Sequence, residues 1–387
     1  MKTIPYSTQF IDEYDLQNVI EALKAPMLTQ GDKNEIFEYM LAEYLGVKYV
    51  LTFNSATSAL YAAYNACFEK GSRVITTPIS FVATANMLLA CGCEPVFVDI
   101  GYDGNINPES IQAMLEKANR NTSTSIQGIV SVDFGGNSVD ITAISALVKQ
   151  YGLKFISDSS HAFGGNVNGQ KIGSFADASI FSFHAIKPIT TAEGGAISTN
   201  NKEIYEKAKL IRSHGLVKQG LWESEVTEIG FNFRLNEMQA ALGMSQLNKI
   251  DMFLHRRENI ARIYDKFFAN NPYFTPIHPM IPPSHKSTNH LYPILLNQEF
   301  VPHKEKIFHL LLARDLGVQV HYKPIFNYKI FAPCEKDSGS NAIHWYEAEI
   351  SLPCHQAMSD KEVAYCIQTT LKTFEEVAKS GIKAIKS

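Results

Sequence analysis

The sequence predicts an α/β fold, a mostly parallel seven-stranded sheet with helices on both faces, joined to a smaller C-terminal α/β domain. Three observations predict it. Seven short apolar runs rich in β-branched and aromatic residues recur between residues 49 and 199. Stretches of helical periodicity separate most of them, the arrangement of βαβ units. A proline-rich segment, 276–284, then leads into a second and shorter α/β pattern.

In chain order, a helix is expected from about Asp12 to Lys24, stopping before Pro26, and a second over about 33–46, stopping at Gly46. Tyr49–Phe53 reads as a buried strand running into Asn54-Ser-Ala-Thr57-Ser58, which has the composition of a helix N-terminus. Strands follow at Arg73–Thr77, Pro95–Asp99, Gly128–Val132, Lys154–Asp158, Ala178–Ser182 and Gly195–Thr199. Helices are expected at Ser80–Leu89, Pro108–Ala118 and Ile141–Tyr151, with a polar, disordered-looking stretch over Asn119–Ser125. Further helical patterning covers 202–213 and, without a break, Asn236 to about Phe268. The second layer carries a strand at His290–Leu296, a helix near 301–316 and a terminal helix near 359–379. These assign residues 1–250 to a large cofactor-binding domain with an N-terminal substrate segment, and 251–387 to a smaller domain.

Composition excludes several classes. The 387 residues are 45% hydrophobic, enough for a sizeable core, and 35 basic residues balance 39 acidic ones, so there is no basic field for nucleic acid. The six cysteines lack zinc-site or disulfide-scaffold spacing and read as buried free thiols in a reducing compartment. No signal peptide or membrane span is legible, so the expectation is a cytoplasmic protein without membrane contact. No G-x-G-x-x-G follows the first strand, which argues against a dinucleotide-dependent oxidoreductase.

The chemistry centres on Lys187, placed just past the Ala178–Ser182 strand and followed by Glu193-Gly-Gly-Ala. Alone, such a lysine is usually a solvated surface charge. Upstream, however, the Lys154–Asp158 strand ends in a carboxylate, and loops at the C-termini of parallel strands share one crevice. The hydroxyl-rich helix start at Thr57 and Ser58 adds an anion site, unless it is an ordinary cap. Lysine, carboxylate and helix end are the three parts pyridoxal phosphate requires: an amine to join its aldehyde, an anion to keep the pyridine nitrogen protonated, and a phosphate cradle.

Asn54-Ser-Ala-Thr-Ser-Ala-Leu, Asp158-Ser-Ser-His161, Phe181-Ser182-Phe-His-Ala-Ile-Lys187, Glu193-Gly-Gly-Ala and Gly230-Phe-Asn232-Phe-Arg-Leu-Asn-Glu-Met-Gln resemble the DegT/DnrJ/EryC1/StrS family of sugar aminotransferases across nearly the whole chain. Many members carry His-Pro where this chain has His184-Ala185. The resemblance implies aminotransferase fold type I, with Lys187 holding the cofactor and Asp158 facing its pyridine nitrogen. It implies that Thr57, Ser58 and Ser182 bind the phosphate with Asn232 of the second subunit of a homodimer, that Phe81 stacks on the ring, and that His161 sits near the phenolic oxygen. Phe81 and His161 read alone as a core aromatic and a structural histidine. Tyr6, Thr29, Gln30, Gly31, His321, Tyr322 and Lys323 are implied to contact a nucleotide sugar.

The activity so implied is transfer of an amino group from L-glutamate to C4 of a UDP-linked 2-acetamido-2,6-dideoxy-4-keto-hexose of L-arabino configuration, in pseudaminic acid biosynthesis. Other nucleotide 4-keto sugars, TDP-linked or D-configured UDP-linked, and a non-catalytic cofactor or sugar-nucleotide sensor are the alternatives. A branch of the family that dehydrates its substrate has histidine in place of this lysine, and Lys187 argues against that chemistry.

Overall fold

The computed structural model describes residues 3–120 and 125–381. Helix α1 (Glu13–Lys24) opens on a reciprocal cap: the Asp12 carboxylate accepts from Asp15 N–H at 3.1 Å, and the Asp15 carboxylate accepts from Asp12 N–H at 3.0 Å. Helix α2 (Asp32–Leu45) ends at Gly46 in a left-handed conformation, φ +67°. The alternating part is β1 (Tyr49–Phe53), α3 (Ala56–Cys67), β2 (Arg73–Thr76), α4 (Ala83–Ala90), β3 (Glu94–Phe97), α5 (Pro108–Asn119), β4 (Gly128–Val132), α6 (Ile141–Tyr151) and β5 (Lys154–Asp158). Then come a hairpin of β6 (Asn166–Val167) and β7 (Gln170–Lys171), strands β8 (Ala178–Ser182) and β9 (Gly195–Thr199), helix α7 (Lys202–Arg212), and a second hairpin of β10 (Leu216–Lys218) and β11 (Ser224–Val226).

The seven expected strands form one sheet in the order β1-β9-β8-β5-β4-β2-β3. Neighbours from β3 through β2, β4, β5 and β8 are parallel, whereas β9 runs antiparallel to both β8 and β1. Six strands therefore point one way. Asp158 and the loop after Ser182 emerge at the same edge, where parallel α/β sheets build their sites.

The expected helix from Asn236 to Phe268 is two helices, α8 (Glu237–Leu247) and α9 (Ile250–Phe268). The break falls where Lys249 leaves the helical path, its ammonium held by Asp12 at 2.8 Å and by the fully buried Asp15 carboxylate at 2.6 Å. Helix α4 starts three residues later than expected, since Ser80–Val82 form a lead-in turn whose Ser80 hydroxyl bonds Thr84 Oγ1 at 2.7 Å. Pro276, expected to open a linker, instead ends a strand.

That strand is β12 (Phe274–Pro276); the remaining elements are β13 (His285–Lys286), β14 (Tyr292–Leu296), α10 (Lys304–Ala313), α11 (Ser340–Ala348), β15 (Glu349–Leu352) and α12 (Asp360–Gly381). Strands β12, β14 and β15 form an antiparallel sheet packed on α9, α10 and α12. Helix α9 serves two cores: Phe253 and Leu254 pack with Phe37, Phe163 and Phe183, and Ile260, Tyr264 and Phe268 pack with Tyr292, Ile350 and Phe374. At roughly 1.5–3 kcal/mol per buried large apolar side chain, α9 is held firmly to both. Ile4 joins the second core, pinned by Ile4 N–H to Asp315 O at 2.9 Å and Gly317 N–H to Ile4 O at 2.7 Å. The N-terminal segment is thereby drawn across to the sheet edge that carries Lys187.

The cysteines are all free, but only Cys93, Cys354 and Cys366 are buried; Cys67, Cys91 and Cys334 are half-buried. Of the stretch expected to be disordered over Asn119–Ser125, residues 121–124 lie outside the described residues.

Candidate active site

Strand β5 ends with Asp158 almost wholly buried, and both of its oxygens are held. Oδ2 accepts from Thr84 Oγ1 at 2.6 Å, and Oδ1 accepts from Ser160 N–H at 3.2 Å and from the Ser160 hydroxyl. Thr84 stands in the first turn of α4, so two elements far apart in sequence orient one carboxylate. A carboxylate held this way keeps lone pairs for a cationic ring N–H.

The chain leaves β8 at Ser182 and turns back at Thr191 N–H to Phe183 O, 2.9 Å, with Lys187 on the intervening loop. Ser7 Oγ donates to Ile186 O at 2.9 Å, so the N-terminal segment helps fix this loop. Lys187 Nζ lies 3.5 Å from His290 Nε2. Burial pushes the amine down to about 7; Asp158 opposes the shift and Arg257 adds to it. Arg257 is fully buried without a carboxylate partner among the described residues, donating to Cys354 O at 2.6 Å, Gln356 Oε1 at 2.9 Å and the carbonyls of Asn289 and His290. Near neutral pH a large share of Lys187 is the free amine, the nucleophilic form.

His161 is buried. Its Nδ1 accepts from Gly135 N–H at 3.3 Å, which places the proton on Nε2, and Nε2 is 3.3 Å from Tyr322 Oη. Its ring packs 4.4 Å from that of His290, and burial and Lys187 push the pKa of both well down. Neither histidine is a cation here.

Helix α3 supplies the anion end. Ser55 is its N-cap, accepting from Ser58 N–H at 3.1 Å, and Ser58 Oγ donates to Asn54 Oδ1 at 2.6 Å. The Ser58 hydroxyl is thus turned into the cap, while the half-buried Thr57 makes no hydrogen bond through its hydroxyl among the described residues. Ser182 pairs with Gly195 across β8 and β9, and a Cβ on Gly195 would stand 2.5 Å from Ala56 N. The glycine lets the strand abut the helix end, bringing Ser182 and the first turn of α3 together. Buried amine, oriented carboxylate and open helix end fit pyridoxal phosphate, and the 2.5 Å approach at Gly195 shows that this cradle depends on the absent Cβ. Among the described residues no His, Cys, Asp and Glu cluster could hold a metal ion.

The structure gathers some of the expected substrate residues and separates others. The Tyr6 ring lies 5.4 Å from that of His321, and Phe81, far from being a core residue, is 60% exposed with its ring 6.5 Å from Tyr322. Lys323 is exposed, with Nζ over the Tyr328 ring at 4.9 Å. Thr29 and Gln30 are exposed and Gly31 is half-buried. Gln30 and Gly31 line a separate cavity of about 500 Å³ with Glu35, Glu38, Lys48 and Arg212. Asn232 is exposed, and its carbonyl accepts from Asn54 Nδ2 at 3.3 Å beside the start of α3.

Thr84, Ser160 and His290 were not legible as site residues. Ser160 follows Asp158 so closely that a local turn was the available signal, whereas Thr84 and His290 arrive only through tertiary packing.

Residues 9–370 match the DegT/DnrJ/EryC1/StrS aminotransferase family. The chain is 48% identical over 379 residues to the UDP-4-amino-4,6-dideoxy-N-acetyl-beta-L-altrosamine transaminase of Helicobacter pylori, covering 97% of this chain and 99% of that protein. Among solved structures, Helicobacter pylori PseC, an aminotransferase of pseudaminic acid biosynthesis, superposes with a TM-score of 0.92 at 48% identity, covering 97% of this chain and all of that one. A sugar aminotransferase from Streptococcus pneumoniae in its PLP-form gives a TM-score of 0.87 at 28% identity, covering 97% of this chain and 99% of that one.

Proposed function

The chain belongs to the DegT/DnrJ/EryC1/StrS aminotransferase family, and from that premise we propose that it is a pyridoxal phosphate-dependent aminotransferase acting on a UDP-linked 2-acetamido-2,6-dideoxy-4-keto-hexose. It takes the amino group from L-glutamate and yields UDP-4-amino-4,6-dideoxy-N-acetyl-β-L-altrosamine for pseudaminic acid biosynthesis. The observation that carries the reading is Lys187, an amine that burial brings to about 7 beside an oriented Asp158, in a chain 48% identical to enzymes of that activity.

Bound here, pyridoxal phosphate supplies an aldehyde that carries the amino group and a protonated pyridine ring that draws electron density from the reacting carbon. Asp158, itself held by Thr84 and Ser160, would keep the ring nitrogen protonated. The first turn of α3, with Thr57, Ser58 and Ser182, receives the phosphate. Phe81 would stack on the cofactor ring, and His161, fixed by Gly135 and Tyr322, would stand near its phenolic oxygen. Lys187 Nζ takes the proton from the donor's Cα and returns it on the other side of the transfer, then reverses both moves for the sugar, a task matched to its pKa near 7.

The exposed site residues support a homodimer with shared sites. Leu221 and Trp222, at the tip of the β10–β11 hairpin, are each 91% exposed, and Asn232 lies open nearby in sequence. Asn232, Thr29, Gln30 and Gly31 then complete the partner's site rather than their own. The six free thiols fit a reducing cytoplasm, and no helix among the described residues is long and apolar enough to cross a membrane.

The test is turnover: purified enzyme with L-glutamate and the UDP-4-keto sugar should form 2-oxoglutarate and the 4-amino sugar in equal amounts. Equal or faster turnover with a TDP-linked 4-keto sugar would overturn the substrate assignment.

A further inference from the structure

His321 has four polar atoms, and buried groups hold three of them. Its N–H donates to Glu349 Oε2 at 2.7 Å, its carbonyl accepts from Trp345 Nε1 at 2.9 Å, and its Nδ1 lies 2.8 Å from Ser351 Oγ. Ser351 Oγ lies 2.5 Å from Glu349 Oε1, which closes a chain from carboxyl to hydroxyl to imidazole. Glu349 and Ser351 are two apart on β15 and so share a face of the strand, and both are fully buried. The backbone ties Gln319 to Ser351 in both directions, at 2.8 and 3.3 Å, and that pairing aligns the segment carrying His321 with the strand.

The fourth atom, Nε2, has no protein partner among the described residues. The ring lies between Tyr6 and Tyr322, at 5.4 and 4.8 Å, and Lys187 is close enough for its charge to act on it. We propose that Glu349 and Ser351 are positioning residues that set the tautomer of His321, and through it whether the site-facing Nε2 accepts or donates a hydrogen bond to the nucleotide sugar. The identity of that ligand rests on the proposed function; the tautomer does not.

Proton counting fixes the tautomer. Ser351 has a single hydroxyl proton. When Glu349 is a carboxylate the hydroxyl donates to it, Ser351 accepts from His321 Nδ1–H, and Nε2 is a bare acceptor. When Glu349 is protonated its O–H donates to Ser351, the hydroxyl turns to Nδ1, and the imidazole proton moves to Nε2. Burial raises Glu349 to about 8, while Ser351, the His321 N–H and Lys304 on α10 favour its charged form. The other titratable groups around the ring are Tyr6 and Tyr322, both pushed up by burial, Lys187, and the buried His161 and His290, both held well down by burial and by Lys187. Burial and Lys187 hold His321 itself down to about 3, so it stays neutral and only its tautomer changes.

The experiment is nitrogen-15 NMR of the histidine side chains in the full-length holoenzyme, with His321→Gln to assign the signal. At pH 9.5 the wild type should show His321 protonated on Nδ1. Glu349→Gln, whose amide can donate to Ser351, should show it protonated on Nε2 at the same pH, and Ser351→Ala should leave a mixture that no longer follows pH. In parallel, Glu349→Gln at pH 9.5 should change KM for the nucleotide sugar about tenfold while KM for L-glutamate stays within twofold, the size expected for one hydrogen bond reversed. One tautomer common to wild type and both variants overturns the proposal, as does a shift in both KM values together. Absent turnover with any UDP sugar would count against the proposed function alone, since the NMR signal is read without substrate.

Discussion

Lys187 Nζ and His290 Nε2 meet at 3.5 Å, one from the β8–β9 loop and the other from the segment entering β14. His290 is buried, kept neutral by burial and by Lys187, and its Nδ1 has no hydrogen-bond partner among the described residues. The contact therefore gives the amine a neutral neighbour where an anion would have raised its pKa, and Asp158 alone opposes the desolvation. In protein freed of cofactor, the rate at which a small acid anhydride acylates Lys187, followed by mass spectrometry, should be half-maximal near pH 7. A midpoint in the ordinary lysine range, about 10, would show the amine to be solvated.

The same shift sets the sign of a stability effect. Lys187 is depressed from 10.5 to about 7, so between those values the unfolded chain binds the extra proton and folding stability rises with pH. Lys187→Met removes this cost. The cofactor-free variant should melt at least about 2 °C above wild type at pH 7, with the gain shrinking as pH approaches 10. Thermal unfolding at the two pH values checks it; a gain that grows with pH would contradict the sign.

Thr84→Val tests the carboxylate's support. The variant keeps the volume in the first turn of α4 but loses the donor 2.6 Å from Asp158 Oδ2. Hydrogen bonds to charged groups contribute roughly 1.5–3 kcal/mol, so the cofactor should dissociate about tenfold more readily. Equilibrium dialysis measures this, and an unchanged dissociation constant would leave Asp158 oriented by Ser160 alone.

All seven strands of the main sheet were legible, because β1, β4, β5, β8 and β9 are buried along nearly their whole length and read as continuous apolar or β-branched runs. Strand β15 was not: Glu349-Ile-Ser-Leu alternates a carboxylate and a hydroxyl with two apolar residues, the pattern of a half-exposed strand, yet every residue in it is buried. The polar face goes inward to serve His321, which only the tertiary structure reveals. The break at Lys249 was hidden similarly, since the acids that pull it from the helix lie more than 230 residues upstream. Lys187 and Asp158 stood out because their loops carry long motifs. Thr84 and His290 carry no local signal, one lying inside a bland helix and the other at the edge of an apolar run.

A shared site predicts complementation. Lys187→Ala and Asn232→Ala homodimers should each lose most activity, and an equimolar mixture, unfolded and refolded together, should recover about a quarter of the wild-type rate, because half the dimers are hybrids with one intact site. A steady-state assay on the mixture measures it. Activity no greater than the mean of the two parents would place Asn232 in its own chain's site or outside any site.

Lys187 is the residue proposed to hold the cofactor and to move the proton. This role is tested most directly by the absorption spectrum of the purified protein with pyridoxal phosphate, before and after L-glutamate and then after the UDP-4-keto sugar, with Lys187→Ala alongside. A visible band that forms only when Lys187 is present, is discharged by glutamate and returns with the sugar is the predicted result. A band that forms and cycles equally in Lys187→Ala would contradict it.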